Sequence, residues 1–200
     1  MDKNILLVDA GNTRLKCWEL TNQELTKNLV FEHSSIEEAY RFFGDNRWNQ
    51  VLICNTGYLD EELNSHFRSS PVHFIGPDSI SEIKWAYAQP EKLGKDRIAA
   101  LIGARKLQPG KNICVADAGT CLTIDVLDSK GNHIGGIISP GLQMRLQSMH
   151  EKTKNLPLST EKESVSPLGN STLSCLASGA VWGLVSEIEF HFNNLEKDDL

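Results

Sequence analysis

The chain has no run of basic residues. Its 20 lysines and arginines are outnumbered by 26 acidic residues, for a formal charge of −6. A nucleic acid or an anionic membrane surface is therefore not expected as a partner. Cysteine is sparse: Cys17, Cys54, Cys114, Cys121 and Cys175 form no C-x-x-C pair and no zinc spacing. The count is odd, and all but Cys54 lie in apolar stretches, which reads as reduced, buried thiols in a cytoplasmic protein. No apolar run approaches the roughly 20 residues needed to span a bilayer. Met1-Asp2-Lys3-Asn4 leads straight into an apolar strand, so no signal peptide is expected. His33, His66 and His73 are isolated and read as surface or packing residues. What is present is 200 residues with 40% hydrophobic content, enough for one large or two small domains with a real core.

The stretch Asn4–Leu20 carries the first chemical signal. Ile5 to Val8 is an unbroken apolar run and reads as a fully buried strand. It runs into Asp9-Ala10-Gly11-Asn12-Thr13 and then a second strand through Leu15, Cys17 and Trp18. Gly11 lets a ligand approach the backbone, and successive N–H groups of such a turn make an anion site. Asp9 would repel a phosphate directly but can hold a hydrated Mg²⁺ that binds one. Thr13 and Lys16 can donate to phosphate oxygens. The alternative is an ordinary hairpin with Asp-Ala-Gly-Asn as turn chemistry. A second copy follows at Ile113–Val126, where a strand meets Asp117-Ala118-Gly119-Thr120 and another β-rich segment. Two acid-glycine-threonine hairpins at domain-sized spacing suggest a duplicated fold with a phosphate-bearing ligand between its halves.

Between the hairpins, strands alternate with helices, the pattern of an α/β domain with a partly parallel sheet. Thr21–Asn28 reads as a polar turn and Leu29–Phe31 as a strand. Ser34 and Ser35 cap a helix that runs to about Phe43 and stops at Gly44-Asp45-Asn46. A strand at Gln50–Cys54, a helix at Asp60–Phe67 and a strand at Val72–Ile75 follow. Gly94-Lys95-Asp96-Arg97 opens a helix over Ile98–Leu107. Asp96 is well placed as its N-cap, and Arg97 can simply pair with a nearby acid. Equally, Arg97 can grip a substrate carboxylate with a bidentate fork, and Asp96 can accept a hydroxyl proton. In the second half, Gly135–Ile138 is a strand open to close backbone approach. Ser139-Pro140-Gly141 starts a helix whose Leu142, Leu146 and Met149 form a core face. Lys154–Leu168 reads as a loop, a lid or rim. Gly169–Thr172 starts a long helix from Leu173 to about Leu195, on which Gly179 and Gly183 permit close packing.

Four motifs, in this order, resemble those of the type III pantothenate kinases: Asp-x-Gly-Asn-Thr at Asp9–Thr13, Gly-x-Asp-Arg at Gly94–Arg97, Asp-x-Gly-Thr at Asp117–Thr120, and Gly-Gly-x-Ile-x-Pro-Gly at Gly135–Gly141. The resemblance covers nearly the whole chain. It implies two duplicated ribonuclease H-like α/β domains, the actin-like ATPase fold, over 1–111 and 112–200 with a ligand cleft between them. The family continues past its last helix, so the second domain is expected to be incomplete. The implied activity is ATP-dependent phosphorylation of pantothenate, the first step towards coenzyme A, by a homodimer using Mg²⁺ and K⁺ or NH₄⁺. Asp9, Ala10, Gly11, Asn12, Thr13, Arg14, Leu15 and Lys16 would form the first ATP loop, and Thr120 a second ATP contact. Asp96 would be the general base. Tyr87, Gly94, Lys95, Asp96, Arg97 and Thr172 would form the pantothenate pocket, and Asp117 would hold the monovalent cation.

Two other functions stay open on the residues alone. A non-catalytic regulator or ligand sensor of the same fold would need fewer than three acids at Asp9, Asp96 and Asp117. A sugar or small-acid kinase of the same fold would phosphorylate an acceptor yet ignore pantothenate and K⁺.

Overall fold

A computed structural model describes residues 4–22, 24–32, 36–43, 48–57, 60–160 and 165–197. The chain divides into two compact units, one of Met1–Ser81 with Ala88–Ile102, the other of Glu82–Tyr87 with Gly103–Leu200.

The first unit is built on a five-stranded sheet in the order β3-β2-β1-β4-β5. Strands β1 (Asn4–Ala10), β2 (Arg14–Thr21) and β3 (Glu24–Glu32) form an antiparallel meander, and β4 (Gln50–Asn55) and β5 (Val72–Phe74) extend it in parallel. The period-2 alternation of a strand decides which side chains go inside. Leu6, Val8, Ala10, Leu15, Cys17, Val51 and Ile53 face one core with Tyr40 and Phe43 of α1 (Ile36–Phe43) and Leu63 of α2 (Asp60–His66). Ile5 and Leu7 are only half-buried, so β1 is not buried on both faces, contrary to its unbroken apolar run. Trp48 seals the end of α1 by donating its indole N–H to the Phe43 carbonyl at 3.1 Å. Removing a ring such as that of Phe43, buried to 1%, costs about 3–5 kcal/mol.

Thr21–Asn28 is not a turn. β2 continues through Thr21 and β3 begins at Glu24, and Asn22 takes a left-handed φ of 52° at the reversal. The segment is polar because β3 is an edge strand with both faces largely in solvent. The capping serines Ser34 and Ser35, the stop at Gly44-Asp45-Asn46, and His33 lie outside the described residues. His66 stacks flat on Tyr40 with ring centroids 3.4 Å apart, and His73 is exposed, as their isolation suggested.

The second unit repeats the meander. β6 (Ile113–Ala118), β7 (Cys121–Leu127) and β8 (His133–Pro140) form an antiparallel three-stranded sheet in the order β6-β7-β8. Helices α4 (Leu142–Glu151) and α5 (Thr172–Lys197) pack through Leu146, Leu176 and Ala180, with Leu142 and Met149 alongside. The β7–β8 turn is tied internally: the Asp128 carboxylate accepts the Lys130 and Asn132 N–H groups at 2.9 and 2.7 Å. From α3 (Lys95–Leu107) the buried Arg105 donates to the carbonyls of Lys111, Asp128 and Ser129. Residues 82–87 dock on the same turn: the Lys84 N–H donates to the Gly131 carbonyl at 2.9 Å, and the His133 N–H to the Lys84 carbonyl at 2.8 Å. Gly131 has φ +88° and lies against backbone of that segment. His133 is fully buried, with Nε2 3.1 Å from the equally buried Asp125 carboxylate.

Two expectations about composition are corrected. Of the four cysteines in apolar stretches only Cys17 is buried; Cys114 and Cys121 are half-buried, and Cys175, on a different face of α5 from its buried neighbours Leu176 and Ala177, is exposed. Among the described residues one helix, Thr172–Leu195, is long and apolar enough to cross a membrane by length and composition alone. Glu187 and Glu189 interrupt its apolar run in the sequence without lowering its mean hydropathy below that of a span.

Candidate active site

In the first unit the sheet register places Asp9 opposite Lys16 on β2 and Cys54 on β4. Register partners share a sheet face, so the three side chains form a row. The Lys16 ammonium lies 3.1 Å from the Asp9 carboxylate, with both side chains partly exposed, a pair worth about 0–1 kcal/mol. The Gly11 N–H donates to the Arg14 carbonyl at 3.0 Å and closes the turn. Asn12, Thr13 and Arg14 are exposed, whereas Ala10 and Leu15 are buried and can contribute only backbone. Arg14 is paired with Glu32 at 3.1 Å.

The Asn55-Thr56-Gly57 loop after β4 backs this turn. The N–H groups of Thr56 and Gly57 both donate to the Ala10 carbonyl, at 2.9 and 3.1 Å. A Cβ on Gly57 would sit 2.6 Å from the Gly11 carbonyl oxygen and 3.0 Å from the Asn12 Cα. Only glycine fits there. The signal was available in Asn55-Thr56-Gly57, a polar triplet directly after an apolar strand, but its contact is with a turn more than 40 positions away.

The Gly94–Arg97 segment belongs to the same unit. Asp96 is not the N-cap. α3 begins at Lys95, and the Ile98 N–H donates to the Gly94 carbonyl at 3.1 Å, so Gly94 occupies the cap position. Asp96 lies one residue inside the first turn, where its carboxylate accepts the Arg97 N–H at 2.8 Å and stays exposed. A Cβ on Gly94 would meet that carboxylate at 2.5 Å. Lys95 reaches back over Gly76. Arg97 is 6% exposed, so its head is largely withdrawn from water.

Cys54 marks where these pieces meet. Burial, then the Asp9 and Asp96 carboxylates, push its thiol up to about 12, while Lys16 and Lys95 act in the opposite sense. One side chain thus lies within the fields of the phosphate-type turn and of the Gly-x-Asp-Arg turn. Both carboxylates and both ammonium groups act on this thiol, so the two turns share one electrostatic environment.

In the second unit Asp117, Gly119 and Thr120 are exposed at the β6–β7 turn. Here too a glycine backs the turn: the Gly141 N–H donates to the Thr120 carbonyl at 3.2 Å, and a Cβ on Gly141 would lie 2.6 Å from that oxygen. Thr172 is the first residue of α5, on a cavity of about 690 Å³ with Met149, Leu156, Asn170, Ser171 and Cys175. Ser171 and Ser174 cap the helix reciprocally: the Ser174 N–H donates to the Ser171 hydroxyl at 3.2 Å, and the Ser171 N–H to that of Ser174 at 2.9 Å. Tyr87 is exposed at the end of the docked 82–87 segment. Thr120, Thr172 and Tyr87 therefore sit on three separate elements.

No group of three or more His, Cys, Asp or Glu side chains able to hold a metal exists among the described residues. A cation at Asp9 or Asp117 would be held by one carboxylate, with phosphate oxygens and water completing its shell. That donor set suits Mg²⁺, which keeps several waters and binds through one or two carboxylates plus substrate phosphates.

Comparison with known proteins shows the family. The family model for type III pantothenate kinase matches residues 5–194. A type III pantothenate kinase of Flavobacterium johnsoniae is 35% identical over 188 residues, covering 92% of this chain and 77% of that protein. Those of Flavobacterium psychrophilum and Bacteroides fragilis are 36% and 31% identical, each again covering 92% of this chain. Among solved structures, a Campylobacter jejuni protein described as a candidate Baf-family transcriptional activator superposes with a TM-score of 0.65 at 22% identity, covering 92% of this chain and 77% of that one. A Sinorhizobium meliloti protein described as a candidate 2-dehydro-3-deoxygalactonokinase gives a TM-score of 0.50 at 11% identity, covering 74% and 57%. The fold is thus the mixed α/β fold of the actin-like ATPases and sugar kinases, and the chain belongs to the type III pantothenate kinase family.

Proposed function

We propose that this chain phosphorylates pantothenate with ATP, giving 4'-phosphopantothenate and ADP, the first step of coenzyme A biosynthesis. The observation that carries the proposal is that the Asp9–Lys16 pair on the first turn and the Gly94–Arg97 turn belong to one compact unit, with the Cys54 thiol in the field of Asp9, Asp96, Lys16 and Lys95. That places a phosphate-type turn and a candidate carboxylate base in the same half of the chain.

The γ-phosphoryl group would lie on the Asp9–Lys16 turn, its oxygens facing the backbone N–H groups and the Thr13 and Lys16 side chains. Asp96, exposed and free of a capping duty, would take the proton of the primary hydroxyl as that oxygen bonds to phosphorus and the bond to ADP breaks. Gly94, Lys95, Arg97, Tyr87 and Thr172 would hold pantothenate. Thr120 would be a second ATP contact. Mg²⁺ at Asp9 and a K⁺ or NH₄⁺ ion at Asp117 would supply charge neutralisation.

The exposed Leu173, Trp182, Phe190 and Phe192 of α5 support a homodimer in the cytoplasm, with α5 covered by a second copy rather than by lipid. The test is product analysis by mass spectrometry from ATP, Mg²⁺ and pantothenate, with K⁺ or with Na⁺ alone. A K⁺-dependent product of one added phosphate supports the whole reading. Phosphorylation of another acceptor with no response to pantothenate overturns it.

A further inference from the structure

The β8–α4 corner, Ser139-Pro140-Gly141, is held by a single side chain. The Arg145 guanidinium donates from Nε to the Pro140 carbonyl at 2.7 Å and from Nη2 to the Ser139 hydroxyl at 2.8 Å. The same Nη2 pairs with the Glu187 carboxylate of α5. Arg145 therefore bridges the Ser139 hydroxyl and the Glu187 carboxylate, and the three side chains form a triangle. The Arg145 and Glu187 side chains are 21% and 26% exposed, so this is not a loose surface pair. Burial works to raise the Glu187 carboxyl, but the bonds from Ser139 and Arg145 outweigh it and keep the group below the usual carboxylate range. Gly183 of α5 lies beside the guanidinium, whose Nη1 is 3.5 Å from where a Cβ would be, an ordinary contact distance.

This triangle stands directly behind the second phosphate-type turn. Gly141 follows Pro140, donates to the Thr120 carbonyl, and has no room for a Cβ against that backbone. The Arg145 N–H in turn donates to the Gly141 carbonyl at 3.0 Å. A shift of the corner therefore becomes a shift of Thr120, because close-packed backbone has no slack to absorb it.

We propose that Arg145 is a positioning residue for phosphoryl transfer: with Ser139 and Glu187 it fixes the corner that sets the Gly119–Thr120 turn against the nucleotide. The inference rests on the reading of Thr120 as an ATP contact. Lysine cannot replace arginine in this role. A point-charge ammonium can keep the attraction to Glu187, but it lacks the planar fork that reaches the Pro140 carbonyl and the Ser139 hydroxyl together.

The experiment measures initial rates with ATP and pantothenate varied separately, and thermal midpoints, for the purified wild type, Arg145→Lys, Thr120→Ala and the double variant. Arg145→Lys is expected to raise the KM for ATP about tenfold, as for loss of a charge-assisted hydrogen bond, with the KM for pantothenate and the midpoint near wild type. The double variant is expected to be no worse than Thr120→Ala alone, because both changes act on one contact. If Thr120→Ala raises the ATP KM and Arg145→Lys does not, the inference is wrong and the reading of Thr120 stands. If neither raises it, both are wrong. Equal rises in the two KM values, or a fall in kcat accompanied by a lowered midpoint, would make the triangle merely structural and overturn the proposal.

Discussion

Gly57→Ala tests whether the loop after β4 sets the first phosphate-type turn. The new methyl carbon would lie 2.6 Å from the Gly11 oxygen, 2.8 Å from the Gly11 carbonyl carbon and 3.0 Å from the Asn12 Cα. All three are backbone atoms, so no side chain can rotate away. To reach ordinary contact near 3.5 Å, turn and loop must separate by about 1 Å. Gly57 has no positive φ, so the penalty is the contact and not backbone strain. Overpacking of this kind costs about 1–3 kcal/mol, a fall in midpoint of several degrees for a chain of this size. The effect on rate should be larger in proportion. A 1 Å displacement of a positioning element can cost about 100-fold, so kcat/KM for ATP should fall by that order while pantothenate still binds. The assay is ADP release at varied ATP, with a thermal melt. Gly103→Ala is the matched control: it lies inside α3 with nothing within 4 Å of a Cβ, and should stabilise by about 0.5–1 kcal/mol. Wild-type ATP kinetics in Gly57→Ala would refute the reasoning.

Asp96→Asn keeps an oxygen that can accept the Arg97 N–H, so the fold should survive while turnover falls at least 100-fold; retained turnover in a folded variant would dismiss Asp96 as the base. His133→Ala should cost about 1–3 kcal/mol by removing a buried hydrogen-bond partner of the Asp125 carboxylate. Replacing both by leucine should recover much of that in urea unfolding, and if the double variant is worse than the single, the pair is not the cause. Cys17 and Cys54 are both raised from 9.0 to about 12, in each case first by burial and then by Asp9. Folding therefore holds their protons where the unfolded chain releases them. Their contribution is complete below about pH 9 and is lost as pH rises towards 12, at up to about 1.4 kcal/mol per pH unit per thiol. A Cys17→Ala/Cys54→Ala variant should lose stability less steeply between pH 9 and 11, and an unchanged slope would point elsewhere. Iodoacetamide at pH 8 should label exposed Cys175 long before Cys54, as peptide mapping would show.

The hairpins were legible because their signal is local. Asp9–Thr13 and Asp117–Thr120 announce a turn, an acid and a glycine within five residues, and α4 shows its core face at Leu142, Leu146 and Met149. Edge strand β3 was legible only at Leu29–Phe31; its first half, Glu24–Asn28, is mostly polar and exposed, and composition alone cannot separate such an edge from a loop. Asp96 was misplaced as a cap because Gly-x-Asp before a helix fits either register, and only the Ile98-to-Gly94 bond decides it. Gly57, Gly141 and the Arg145 triangle depend on contacts between elements distant in sequence. The Asp9–Lys16–Cys54 row follows from sheet register, and the return of residues 88–102 to the first unit brings Lys95 and Asp96 into the same half. Neither has a periodicity to read.

That return bears on how the chain is made. The boundary between the units is crossed three times, after Ser81, after Tyr87 and after Ile102. On the ribosome the first unit has its sheet by residue 74 but lacks the start of α3, which belongs to it, until Ile102 has emerged. Residues 82–87 emerge earlier still and must wait for the β7–β8 turn at Gly131–His133 before they have a dock. Domain-by-domain folding during synthesis is therefore interrupted by a segment held in reserve. No single cut of the gene separates the two units: one placed after Ser81 would leave Asp9 on one fragment and Asp96 on the other.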